Sequence, residues 1–97
     1  MADLQLKNAL ARVAPGAARQ ALDFIPDDKR YKFKFELSGS TGRRYRLSFD
    51  TARLCWMCSC PGCIGHQTTC KHLRACGLRG PDGGQQIGFA KEHGFIS

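Results

Sequence analysis

All six cysteines of this 97-residue chain fall between Cys55 and Cys76. A chain this short buries only a small core and usually needs an added constraint to hold one fold. The chemistry of that segment therefore decides what the chain can become. Disulfides would tie distant segments together, but these cysteines would leave most of the chain unstapled. The first residues lack the charged lead, apolar block and small-residue cleavage site of a secretory signal. Reducing compartments disfavour disulfides, so an intracellular location is expected and metal ligation is the stronger reading. No apolar run approaches the roughly 20 residues of a membrane span.

Cys58 and Cys60 are followed, after nine intervening residues, by Cys70 and His72. Three thiolates and an imidazole suit a tetrahedral Zn2+ site. Residues two apart on an extended strand point to one side, so Cys58 and Cys60 can grip one ion as the chain turns at Pro61. Positions two apart inside a helix lie ~200° apart around its axis. Cys70 must therefore stand at the helix start and His72 in its first turn, with Thr68 and Thr69 as candidate caps. Rival assignments remain at this point. Cys60, Cys63, Cys70 and His72 form another possible set, and Cys55, Cys63 and His66 would need a fourth ligand. An iron–sulfur cluster on Cys55, Cys58, Cys60 and Cys63 departs from the usual spacing of such clusters. Cys55 and Cys76 read as small buried hydrophobes, and His93 as a solvated residue at a helix end.

The expected fold is a single α+β domain over residues 1–97. Leu6, Leu10 and Val13 form one helical stripe, and Ala18, Ala21, Leu22 and Ile25 a second, with Pro15 and Gly16 between them and Pro26 as the stop. Residues 1–28 thus read as helices packed on a sheet. The period then becomes two. Tyr31, Phe33, Phe35 and Leu37 alternate with Lys32, Lys34 and Glu36; beyond a Gly/Ser loop, Tyr45, Leu47 and Phe49 alternate with Arg44, Arg46 and Ser48. That pattern predicts an antiparallel hairpin with an aromatic face and a basic face. A third short strand covers residues 54–58, and a helix covers residues 69–76 before Gly77. The tail, residues 80–97, is a flexible break followed by a helical turn, either docked through Phe89, Phe95 and Ile96 or loose.

The segment from Trp56 through Cys58, Cys60 and Pro61 to Cys70, Lys71, His72 and Leu73 resembles the SWIM-type zinc finger family, whose pattern is C-x-C, a spacer, then C-x-H. The strand region from Leu37 to Phe49 is similar to the one that leads into such fingers, so the likeness covers roughly residues 36–77. The resemblance implies a ββα-type finger with Cys58, Cys60, Cys70 and His72 as zinc ligands. It also implies DNA binding or protein–protein contacts. The chain departs from the family setting in having no ATPase, transposase or kinase module beside the finger, and in carrying Cys63 and His66 inside the spacer.

The formal net charge is +7. Three thiolates around a divalent ion leave the metal site slightly negative, so the excess lies elsewhere. Lys32, Lys34, Arg44 and Arg46 are expected to share the outer hairpin face, with Arg43 beside them and Lys71 and Arg74 extending it. Like charges placed opposite one another are destabilising, which invites a partner that neutralises them. The expected function is a non-enzymatic accessory protein that binds nucleic acid, DNA rather than RNA, with no small-molecule substrate. The alternative is an adaptor docking on an acidic surface of a larger protein complex. A thiol redox role would need a βαβ context, which the pattern lacks.

Overall fold

The N-terminal stripe forms helix α1 (Ala2–Val13), and Leu10 is the residue it buries fully. The computed structural model describes residues 2–97, with side chains from residue 4 onward. Ala14, preceding a proline, leaves the helical region at φ −150°, and Pro15 opens α2 (Pro15–Gln20) as its first residue. The second stripe does not run to Ile25 as a helix. The chain becomes extended at Ala21, the Leu22 amide donates to the Glu36 carbonyl at 2.7 Å, and Asp23–Ile25 forms strand β1. Tertiary pairing overrides the helical period here: Phe24 lies opposite Phe35, and Leu22 stays exposed.

Strands β2 (Tyr31–Ser38), β3 (Arg44–Asp50) and β4 (Cys55–Cys58) follow as a meander, giving one antiparallel sheet in the order β1-β2-β3-β4. The hairpin therefore forms where the period-two pattern placed it. Its alternation is broken once. The register shifts between Lys32 and Phe35, and Phe33 sits at φ 55°, as in a β-bulge. The extra residue reverses the parity of the strand's beginning. Lys32 lies opposite core-facing Phe49, while Tyr31 lies opposite Asp50 on the side that carries Ser48 and Arg46. Lys32 thus does not share a face with Lys34, Arg44 and Arg46, and Tyr31 does not belong to the aromatic face.

Phe35, Leu37, Leu47, Phe49 and Trp56 build the inner face of the sheet and meet Leu10, Ala14 and Ala17 of the N-terminal helices. Beyond β4 come two short helices, α3 (Pro61–His66) and α4 (Lys71–Ala75), then a 3-10 turn (Pro81–Gly83) and helix α5 (Ile87–Glu92). Gly77, at φ 73°, ends α4 in the left-handed conformation its position anticipates. The tail is docked. Ala90 is buried, the Phe95 ring stacks on Phe49 and the Phe89 ring packs tilted against it, and the Gln86 amide donates to the Leu54 carbonyl at 2.7 Å. His93 is half-buried against Phe33, Phe89 and Phe95 rather than solvated. The outer edge of β4 is occupied: the Trp56 amide donates to the Arg79 carbonyl and the Cys58 amide to Cys63 Sγ. Among the described residues no helix is long and apolar enough to cross a membrane.

Candidate metal centre

Three elements deliver four donors to a buried cluster at the end of the sheet. Cys58 closes β4. Cys60 caps α3, with Pro61 as the first residue of that helix, and its Sγ accepts from the Cys63 amide. Cys70 stands at the N-cap position of α4 without a side-chain capping hydrogen bond, and His72 lies in the first turn. The ligand atoms of Cys58, Cys60, Cys70 and His72 all lie within 4.8 Å of one another, and all four residues are buried. His72 presents Nδ1 to the sulfurs, at 3.7 Å from Cys58 Sγ and 3.8 Å from Cys70 Sγ. This arrangement can hold a metal ion. All six cysteines are free thiols.

The electrostatics suit metal ligation. Burial, reinforced by the neighbouring Lys71, lowers the proton affinity of His72 and favours the neutral imidazole a metal needs. Burial also disfavours ionisation of Cys60, but the Cys63 amide, the Cys70 and Cys58 thiols and the Gly62 amide outweigh it and hold that thiol below its ordinary value. Cys58 is pushed strongly upward by burial. In the absence of a cation, a cluster of buried thiols cannot ionise together, because each new charge raises the cost of the next.

The rival ligands fall outside the cluster. Cys63 is fully buried, yet its Sγ accepts from the Cys58 amide at 3.3 Å. His66 is exposed. Cys55 and Cys76 are buried, and burial raises the Cys76 thiol to about 11, so both behave as small apolar residues. The expected cap geometry differs in one respect. Neither Thr68 nor Thr69 caps α4. The Thr69 amide and hydroxyl both donate to the Asp82 carboxylate, and Thr68 Oγ1 donates to the Gly62 carbonyl. Asp82, in the tail, thus braces the backbone next to Cys70.

Two residues behind His72 escaped the sequence reading. The Tyr45 ring lies 4.5 Å from the imidazole, centroid to centroid. Gly39 approaches so closely that a Cβ there would sit 2.7 Å from Tyr45 Cε2 and 3.3 Å from His72 Nε2. Tyr45 was legible only as a member of the aromatic stripe, and Gly39 only as a loop residue.

The basic residues are distributed as follows. Lys34 pairs with Asp28 at 3.0 Å and is only 13% exposed in its side chain. Arg44 pairs with Asp23 and lies 3.6 Å from Glu36, and Arg46 lies 3.9 Å from Glu36. The outer face therefore carries its own carboxylates. Lys71 is exposed, with Nζ 3.4 Å from Ser40 Oγ, so α4 touches the β2–β3 turn that also holds exposed Arg43. Arg74 is exposed on α4. Among the described residues Lys32, Arg43, Lys71 and Arg74 make no ion pair. Compared with protein-family models, with curated proteins and with solved structures, the chain gives no match.

Proposed function

We propose that the chain is a zinc-stapled SWIM-type finger that acts without catalysis, as an intracellular accessory factor binding nucleic acid, DNA rather than RNA. The buried cluster of three thiols and one imidazole carries the first half of this reading. Zn–S bonds of about 2.3 Å and a Zn–N bond of about 2.0 Å set a tetrahedral S···N edge of about 3.5 Å. The two distances from His72 Nδ1 to sulfur, 3.7 and 3.8 Å, fit that edge. Four protein donors fill a tetrahedral ion and leave no position for a reactive water, so the zinc would serve the fold. Cys58, Cys60, Cys70 and His72 would hold it.

The net charge of +7 supports the second half. Asp23, Asp28 and Glu36 lower the charge that Lys34, Arg44 and Arg46 bring to the outer face. Arg43, Lys71 and Arg74, around the β2–β3 turn and α4, would then supply much of the attraction to phosphate. With about four to six phosphate contacts, log K for duplex should fall against log salt with a slope near −4 to −5.

Native mass spectrometry should find one zinc per chain, and a strong chelator should unfold at least residues 54–77 and lower the melting temperature of the remainder. Metal-free protein with an unchanged melt would remove the staple. Fluorescence anisotropy should show salt-dependent oligonucleotide binding that weakens in Arg43→Ala/Lys71→Ala and in Arg44→Ala/Arg46→Ala. No binding at low salt would refute the nucleic-acid role and favour the adaptor.

A further inference from the structure

The outer side of the sheet is not flat. A cleft of ≈ 370 Å³ opens between the β2–β3–β4 surface and α3. Tyr31 and Lys34 of β2, Arg46 of β3, Met57 of β4 and Ile64 of α3 line it, together with Asp28. The bulge at Phe33 is what brings Tyr31 to this side. The volume lies within the usual range for small-ligand pockets, and its lining combines an aromatic ring and two apolar side chains with two cations and one carboxylate, Asp28, paired to Lys34.

We propose that this cleft seats an unpaired base of single-stranded DNA, stacked against Tyr31 and covered by Ile64 and Met57, with flanking phosphates on Lys34 and Arg46. The inference rests on the nucleic-acid reading above and specifies the form of the ligand. A duplex hides its base faces in the stack and presents only phosphate rows and groove edges. A single strand exposes both the π-face and the phosphate, the two chemistries this lining complements.

The cleft is also preorganised. The Arg30 guanidinium lies over the Tyr31 ring at 5.2 Å from its centroid and is itself held by Asp50, through Nε and Nη2 at 2.9 Å each. Lys34, mostly buried, is held by Asp28 at the cleft wall. Rigid groups of this kind lose little side-chain freedom on binding. Ile64 is 56% exposed at the cleft wall, so its side chain is free to pack over a bound base.

The test uses the zinc-loaded 97-residue chain and a fluorescein-labelled oligothymidine strand, compared by anisotropy with a duplex of equal length. The single strand should bind at least about tenfold more tightly than the duplex. Tyr31→Ala should weaken single-strand binding by about tenfold or more while leaving duplex binding unchanged, since base–aromatic stacking is lost. Tyr31→Phe should restore it. Ile64→Glu, at an exposed position the fold does not need, should weaken single-strand binding as well. Duplex affinity equal to or above that of the single strand overturns the inference and spares the nucleic-acid role. So does unchanged single-strand binding in both Tyr31→Ala and Ile64→Glu. Failure to bind either oligonucleotide overturns both readings, and Tyr31-dependent binding of a labelled polyglutamate peptide in their place assigns the cleft to a protein ligand.

Discussion

Replacing Gly39 by alanine adds one carbon atom at the back of the metal site. That carbon would lie 2.7 Å from Tyr45 Cε2, 3.3 Å from Tyr45 Cδ2 and 3.3 Å from His72 Nε2. Carbon atoms rest comfortably at about 3.5–4.0 Å, so the tyrosine edge must retreat by nearly 1 Å. The Tyr45 ring is in contact with the imidazole at 4.5 Å, and His72 Nδ1 holds its two sulfur distances on the opposite side of the ring. Displacement therefore passes into the ligand set. Overpacking of this size costs about 1–3 kcal/mol, and mispositioning through a supporting residue typically weakens metal binding by about 10–100-fold. Gly42→Ala is the internal control. Gly42 has φ 83° and no atom within 4 Å of an added Cβ, so alanine there costs only the left-handed conformation, about 1–2 kcal/mol. Competition against a metallochromic chelator should show weakened zinc binding in Gly39→Ala and wild-type binding in Gly42→Ala. Equal zinc affinity in the two variants would refute the coupling from turn to ring to ligand.

Cys63→Ala should retain one zinc per chain in native mass spectrometry, with a stability loss of about 1 kcal/mol from the hydrogen bond that the Cys58 amide gives up; Cys70→Ala should lose the metal. The reverse pattern would move the site to the rival ligand set. Acid unfolding should occur in two stages. Zinc leaves first, as thiolates take up protons. The second stage belongs to carboxylates. The Tyr31 amide, with Lys34 and the Arg30 amide, holds Asp28 at about 2, and Arg30 together with the Ala52 and Arg53 amides holds Asp50 below its ordinary value despite burial. Their stabilisation is complete above the unfolded carboxylate value near 4 and fades as pH falls toward the folded values. Circular dichroism of zinc-loaded protein should follow both stages. A single transition whose midpoint ignores zinc would contradict this order.

The hairpin was legible because its residues alternate over two long runs, and the ligand set because two chelating pairs must meet at one point. Both signals are local. What stayed hidden depends on partners far along the chain. Ala18, Leu22 and Ile25 carry a helical period, but the free edge of β2 claims residues 23–25 as a strand. Nothing in the alternation of Tyr31 through Leu37 announces the bulge at Phe33, whose ring is drawn into the Trp56, Phe89 and Phe95 cluster. Cys60 and Pro61 did carry a helix-start signal for α3, a cap followed by proline at the first position. The expectation of a turn at Pro61 hid it. The acidic partners of Arg44 and Lys34 come from β1 and the β1–β2 connection, so the charge of that face could not be judged from the hairpin alone.

The borders of the sheet have a consequence of their own. β1 contributes only three residues at one side, and at the other the four-residue β4 has its Trp56 and Cys58 amides taken by Arg79 and Cys63. Neither side offers a long bare row of amides and carbonyls to a foreign strand, so crowded copies of the chain lack a seam along which to polymerise.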